Sequence, residues 1–224
     1  MTAFGRAMFD QLDHPDRDVT FQLSAQDSPS MVQNCRDFTT VRPNEQALIQ
    51  GSLGGRRTPR VLDVACGIGR HSKYVRATAQ DAVITVVEWD DHLRARAAAD
   101  SGAATAYATF TDVPDDSRFD LVLLLGNGLG VFGDEGATRA GLSRVRDILA
   151  EGGHALIESC PPPRGQFHEG LLTLSYDNAT DGPFPWGYAT HTWLANCFQE
   201  IGMTPERPIT SAITGPFFMV KATR

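Results

Sequence analysis

Two stretches decide the fold: Val61-Leu62-Asp63-Val64-Ala65-Cys66-Gly67-Ile68-Gly69-Arg70-His71, and further on Val86-Val87-Glu88-Trp89-Asp90. An apolar run of strand type breaks into a loop with glycine at alternate positions, and a second apolar run ends in an acid. Strand, loop, helix, strand and acid in that order describe the opening βαβ unit of a nucleoside-binding Rossmann-like sheet. Gly67 and Gly69 carry no Cβ, so the backbone can turn sharply and approach a ligand, its N–H groups pointing outward at the start of the next helix. Glu88, at the tip of the second strand, is the carboxylate expected to accept hydrogen bonds from both hydroxyls of a ribose, and to be solvated when no ligand is bound.

The residues after the loop bear on which nucleoside is meant. A dinucleotide fingerprint has a third glycine that lets helix and strand pack closely around a pyrophosphate. Here Gly69 is followed by Arg70-His71-Ser72, without that glycine. Asp63, Ala65, Gly67 and Gly69 instead give the pattern D-x-A-x-G-x-G. This resembles the first motif of the class I S-adenosylmethionine-dependent methyltransferases, with Ala65 in place of the motif's first glycine.

The resemblance continues along the chain. Arg118-Phe119-Asp120-Leu121-Val122-Leu123-Leu124-Leu125 is similar to the family's fourth strand, and Gly126-Asn127-Gly128-Leu129-Gly130 to the loop that passes the methionine end of the cofactor. Leu149-Ala150-Glu151-Gly152-Gly153-His154-Ala155-Leu156-Ile157-Glu158 is similar to the turn into strand five, Glu151 replacing the usual proline. The GRH sequence at 69–71 together with GNGLG at 126–130 resembles a group of small bacterial methyltransferases of ill-defined substrate. The resemblance implies an α/β, Rossmann-like methyltransferase fold: a mostly parallel seven-stranded sheet with an antiparallel last strand. A helical N-terminal cap over 1–57, a cofactor-binding core over 58–160 and a hairpin, helix and last two strands over 161–224 make one domain.

Composition fits that reading. The chain has 224 residues, 42% hydrophobic and 21% charged, enough for one substantial core. Its net charge of −7, with dispersed cations, is the wrong balance for a nucleic-acid binder. The Asn-Pro-Pro-aromatic motif of base-modifying amino methyltransferases is missing after strand four. Neither a signal-peptide core nor a membrane-spanning run is present in the sequence, so a cytoplasmic protein without membrane partners is expected. Cys35, Cys66, Cys160 and Cys197 lack the spacing of a zinc site or a disulfide framework.

Local signals place the elements. Thr2 to Leu12 suits an amphipathic helix, and Pro43 suits the first turn of a second helix to Gly51. Ala82 to Glu88 reads as strand two and Ala103 to Ala108 as a short strand three. Asp90 or Asp91 caps one helix, and Asp134 opens another that Gly152-Gly153 ends. His154 to Cys160 is strand five, stopped by Pro161-Pro162-Pro163. Leu171 to Tyr176 and Phe184 to Ala189 form an inserted hairpin, Thr190 or Thr192 starts a helix, and Pro208 to Thr214 and Pro216 to Ala222 are the last strands.

Ligands bind at the carboxyl ends of such strands. The expected S-adenosylmethionine shell is therefore Asp63, Ala65, Gly67 and Gly69 after strand one, Glu88 and Trp89 after strand two, Thr109 and Phe110 after strand three, and Gly126 and Asn127 after strand four. The family's adenine-binding acid has no exact counterpart: Thr109 holds that tip and Asp112 follows. Trp89 can stack on the adenine or simply pack in the core. Methyl transfer from a sulfonium is an in-line displacement that positioning and water exclusion accelerate, and a base is needed only for a protonated acceptor. Tyr188, Trp186 and His71 are candidates for the substrate region, and the expected base is His191, then Glu158. The resulting expectation is an enzyme methylating oxygen or nitrogen of a small molecule, without a metal. An NAD-dependent oxidoreductase, or a protein that binds the cofactor without methyl transfer, are the alternatives.

Overall fold

The computed structural model describes residues 1–25, 28–210 and 216–224. Five strands form its parallel centre: β3 (Arg60–Val64), β4 (Val83–Val87), β5 (Thr105–Tyr107), β6 (Phe119–Leu124) and β7 (Leu149–Ser159). β3 pairs with β4 and β6, β4 with β5, and β6 with β7, all in parallel. The antiparallel β12 (Phe218–Thr223) borders β7, and the two-residue strands β10 (Thr204–Pro205) and β11 (Ile209–Thr210) pair with it. The sheet thus has eight strands, in the order β10-β12-β7-β6-β3-β4-β5 with β11 on β12, rather than seven. The antiparallel last strand is as expected. Residues 211–215, which hold the end of the expected sixth strand and the glycine after it, lie outside the described residues.

Side-chain alternation explains why both faces are covered. Leu62, Val64, Val122 and Ile157 point to one side, where they pack on Leu142, Val145 and Ile148 of α5 (Glu135–Ile148) and on Phe198 of α6 (His191–Glu200). Val61, Leu121, Leu123 and Leu156 point to the other, onto α2 (Pro43–Leu53), α3 (Arg70–Thr78) and α4 (Asp91–Ser101). Strands buried on both faces read as continuous apolar runs for this reason. The helices begin on the expected caps: Asp90 accepts from the His92 and Leu93 amides, Asp134 from Ala137 N and Thr190 from Trp193 N. Gly152-Gly153 differs from expectation. α5 ends at Ile148 and the pair lies within β7, where the register to β6 shifts between Phe119 and Leu121.

The N-terminal cap needs a larger correction. α1 (Ala3–Asp13) and α2 are helices, but between them run two strands, β1 (Thr20–Ala25) and β2 (Ser28–Asn34). They join the inserted hairpin, β8 (Phe167–Tyr176) and β9 (Ala179–Ala189), in a second, four-stranded antiparallel sheet ordered β2-β1-β8-β9. The hairpin is longer than its sequence suggested, and its tight turn is at Asp177-Asn178, with Asp177 at φ 53°. Among the described residues no helix is long and apolar enough to cross a membrane.

Candidate active site

The strand order reverses direction at β3, which has β4 on one side and β6 on the other, and loops from such adjacent strands diverge to leave a crevice. The loop after β3 shapes its floor. Ala65, Gly67 and Gly69 have φ of 53°, 55° and 76°, all in the left-handed region. A Cβ on Gly69 would lie 2.8 Å from Ala97 Cβ, so this glycine is required by the packing of the loop on α4. A Cβ on Gly67 would meet only Phe4 Cε1, at 3.8 Å. It would project into open space, a cavity of about 710 Å³ whose wall includes Gly67.

Two acids hold the loop from either side. Asp63 is buried and accepts from Ser72 N (3.1 Å) and Ser72 Oγ (2.6 Å), tying β3 to the first turn of α3. Burial raises its carboxyl above the usual value and the Ser72 bonds oppose the rise. It braces the loop from behind and does not reach the cavity wall. Glu88 does reach the wall, but at 4% exposure it is not the solvated acid that the sequence suggested. Its Oε2 accepts from Gly67 N at 2.9 Å and its Oε1 from Asp90 N at 3.1 Å. Burial raises this carboxyl too, against the two backbone bonds. Trp89 is exposed beside it, its ring 6.4 Å from that of Phe184.

The loop after β6 is fixed from below. Gly126 N and Asn127 N both donate to Glu158 Oε2, and Gly126 and Asn127 adopt φ of 70° and 61°. Glu158 is fully buried, and Arg42 Nη2 donates to its two oxygens at 3.1 and 3.3 Å. Arg42 also pairs with Glu45, which accepts a two-pronged bond from Arg70 (2.9 and 3.0 Å) and one from His71 Nε2 (3.2 Å). Burial alone would raise the Glu45 carboxyl, but the bonds from His71 and Arg42 and the Arg70 charge hold it well below the usual range. The cluster of Arg42, Glu45, Arg70, His71 and Glu158 couples α2 and α3 to the β6 and β7 tips. The sequence pointed to Glu158 and His71, but neither Arg42 nor Glu45 stood out, because both read locally as an ordinary helix start beside Pro43.

The second sheet covers the crevice. Its residues facing the cavity alternate along each strand: Phe21, Leu23 and Ala25 on β1, and Phe184, Trp186 and Tyr188 on β9. Register places Leu23 opposite Leu174 of β8, so the two distant segments share one apolar underside. α1 closes the adjoining corner: Phe4, Phe21 and Phe38 meet with centroid separations of 5.4 to 5.8 Å, Thr2 N donates to Asp90 and Phe4 N to Asp181.

The other expected site residues are placed elsewhere. Thr109 and Phe110 lie outside the cavity wall. Thr109 N donates to Asp112 in a short 3₁₀ turn, and Phe110 packs on Phe132 under Arg144. His191 is exposed at the start of α6, edge-on to Phe218, and does not line the cavity.

Comparison with known proteins accords with this architecture. A family described as a methyltransferase domain matches residues 61–153, and no curated protein matches the sequence. An S-adenosylmethionine-dependent methyltransferase from Bacteroides fragilis, solved with S-adenosyl-L-homocysteine, is similar over 99% of this chain and 94% of its own, at 16% identity and a TM-score of 0.75. A 1,6-didemethyltoxoflavin N1-methyltransferase from Burkholderia thailandensis is similar over 81% of this chain and 77% of its own (20% identity, TM-score 0.63). A sugar N-methyltransferase from Streptoalloteichus is similar over 80% and 84% respectively (17% identity, TM-score 0.59). Residues 61–153 match the methyltransferase-domain family, and the chain has the fold of the class I S-adenosylmethionine-dependent methyltransferases.

Proposed function

We propose that this protein transfers a methyl group from S-adenosylmethionine to oxygen or nitrogen of a small molecule. The observation that carries the reading is the pairing of Gly67 with Glu88. A glycine whose Cβ direction opens into the cavity sits one hydrogen bond from a carboxylate on the same wall. That cradle fits a nucleoside: backbone at Gly67 can approach it closely, and Glu88 has the geometry to accept ribose hydroxyls while its backbone bonds fix its orientation. The absence of a third glycine disfavours a dinucleotide, because Ser72 there turns its hydroxyl to Asp63.

Bound in this cradle, S-adenosylmethionine supplies an activated methyl group on a sulfonium. The chain's own contribution is positioning. Glu158 holds the Gly126-Asn127 loop through two amides, and Arg42 holds Glu158, so Glu158 is a positioning residue rather than a base. The second sheet roofs the crevice over the room left for a second, small ligand, where positioning and reduced access of water favour transfer. A cavity of about 710 Å³ lies within the usual range of small-molecule sites. The roofed cavity and the net charge of −7 favour a small acceptor over a nucleic acid, and we place the reaction in the cytoplasm.

Titration calorimetry with S-adenosylhomocysteine and with NAD tests the reading. Saturable binding of the former, and none of the latter, is expected. Tighter binding of NAD would overturn it.

A further inference from the structure

With Glu88 marking the ribose at the tip of β4, the sheet order puts the opposite end of the cavity at the tips of β6 and β7, on the far side of β3. Asn127 follows β6 there, Cys160 and Pro161 follow β7, and Trp186 and Tyr188 of β9 cover them. Resting on the cofactor placement proposed above, we infer that this end is the acceptor site, and that it takes an uncharged, ring-bearing compound whose ring lies on Trp186 and whose polar group hydrogen-bonds to Tyr188 and Asn127.

Three observations support this class. First, the charges close to this end are committed to one another. Glu158 is fully buried and bonded to Arg42, Gly126 N and Asn127 N, while Arg70 and His71 are bonded to Glu45. A cationic amine entering here would lose its hydration and, among the described residues, find no carboxylate on the wall of this end, the Glu88 carboxylate lying at the other. Second, the polar groups that do remain are neutral and unpaired. Asn127 Oδ1 is buried without a hydrogen-bond partner, and the Tyr188 hydroxyl has none among the described residues. Burial pushes the Tyr188 phenol up to about 12, so at neutral pH it stays a donor while Asn127 Oδ1 accepts. A ligand hydroxyl is the chemical complement of this pair, accepting from the one and donating to the other. Third, Trp186 is held in place: a Cβ on Gly130 would fall 1.9 Å from its Nε1, and the Phe184 ring, tilted by 54°, lies 6.0 Å away on the same strand. An indole held in this way offers a preformed stacking face.

The test uses two ligands that share a ring and differ in charge, 2-naphthalenemethanol and 2-naphthylmethylamine, titrated into protein saturated with S-adenosylhomocysteine. The alcohol is expected to bind about tenfold or more tighter than the amine. Tyr188→Phe should weaken the alcohol about three- to tenfold and Trp186→Ala about tenfold or more, both with S-adenosylhomocysteine affinity unchanged. Tyr188→Phe deletes one oxygen and keeps the fold, so it remains informative if Trp186→Ala does not fold. Equal or tighter binding of the amine, no binding of the alcohol, or wild-type alcohol affinity in Tyr188→Phe would overturn the inference. If S-adenosylhomocysteine itself fails to bind, the cofactor reading falls separately. The same ligands and variants, titrated without it, then decide the acceptor site by the same criteria.

Discussion

Gly67 and Gly69 stand two residues apart in one loop, and replacing each with alanine should give opposite phenotypes. Both have left-handed backbones, φ 55° and 76°, so an alanine at either costs about 1–2 kcal/mol before any contact is considered. At Gly69 the new methyl would lie 2.8 Å from Ala97 Cβ and 2.9 Å from Ala97 Cα, a clash with α4 backbone that no rotamer relieves. Overpacking of this kind adds about 1–3 kcal/mol, for a total of about 2–5 kcal/mol. At Gly67 the nearest atom is Phe4 Cε1 at 3.8 Å, ordinary contact, so only the backbone cost applies. That methyl would instead occupy the proposed cofactor path and should weaken S-adenosylhomocysteine about tenfold or more. Urea denaturation gives the stabilities, provided the m-value is constant, and calorimetry the affinities. Equal destabilisation by the two variants, or wild-type ligand affinity in Gly67→Ala, would refute the assignment of one glycine to packing and the other to binding.

Glu88→Ala should lower the stability of ligand-free protein by about 1–3 kcal/mol, since it strips the acceptor from Gly67 N and Asp90 N, and should remove most of the thermal shift produced by S-adenosylhomocysteine. An unchanged ligand-free Tm would contradict the two bonds. Glu45→Gln leaves Arg42 and Arg70 facing a neutral group in the interior and should cost about 3–5 kcal/mol; a melt within a degree of wild type would show that the cluster contributes little. Asp90 is a pH-dependent anchor. Burial opposes its ionisation, but amides from Thr2, His92 and Leu93 lower its carboxyl to about 2, below the unfolded value of about 3.9. Its contribution, about 2 kcal/mol, is therefore complete above about pH 4 and is lost as pH falls through about 2. The stability difference between wild type and Asp90→Asn should shrink between pH 6 and pH 3, and a constant difference would exclude this linkage.

What the sequence displayed was local or repeated chemistry. The β3 loop, the Glu88 strand tip and the caps at Asp90, Asp134 and Thr190 each occupy a few consecutive residues whose types admit one conformation. The second sheet was half visible. Its hairpin shows as two β-rich runs, whereas Phe21-Gln22-Leu23-Ser24 alternates over a span too short to separate a strand from a loop, and its apolar face acquires a partner only when Leu23 meets Leu174. Arg42 and Glu45 went unseen for the same reason: Glu45 caps its own helix through Arg42 N, and nothing local announces that Arg70, His71 and Glu158 converge on the pair. Thr109 and Phe110 fell away from the cavity because β5 is only three residues long and the chain then curls into a turn. At His191 the helix start was legible from Thr190, but the direction of the side chain depends on Phe218 in the last strand.

The ceiling of the cavity is made from two pieces of chain that sandwich the whole nucleotide-type core in sequence, β1 and β2 before it and β8 and β9 after it. A fragment trimmed to residues 61–153 would carry Gly67, Glu88 and Asn127 but would be an open bowl, lacking Phe21, Leu23, Trp186 and Tyr188. It would also lose Arg42, Glu45 and Glu158, the partners that hold Arg70 and the Gly126-Asn127 loop. Swapping the ceiling between proteins of this architecture is consequently a transplant of two segments at once, since the β1–β8 ladder is shared property and neither half presents a complete surface to a new acceptor.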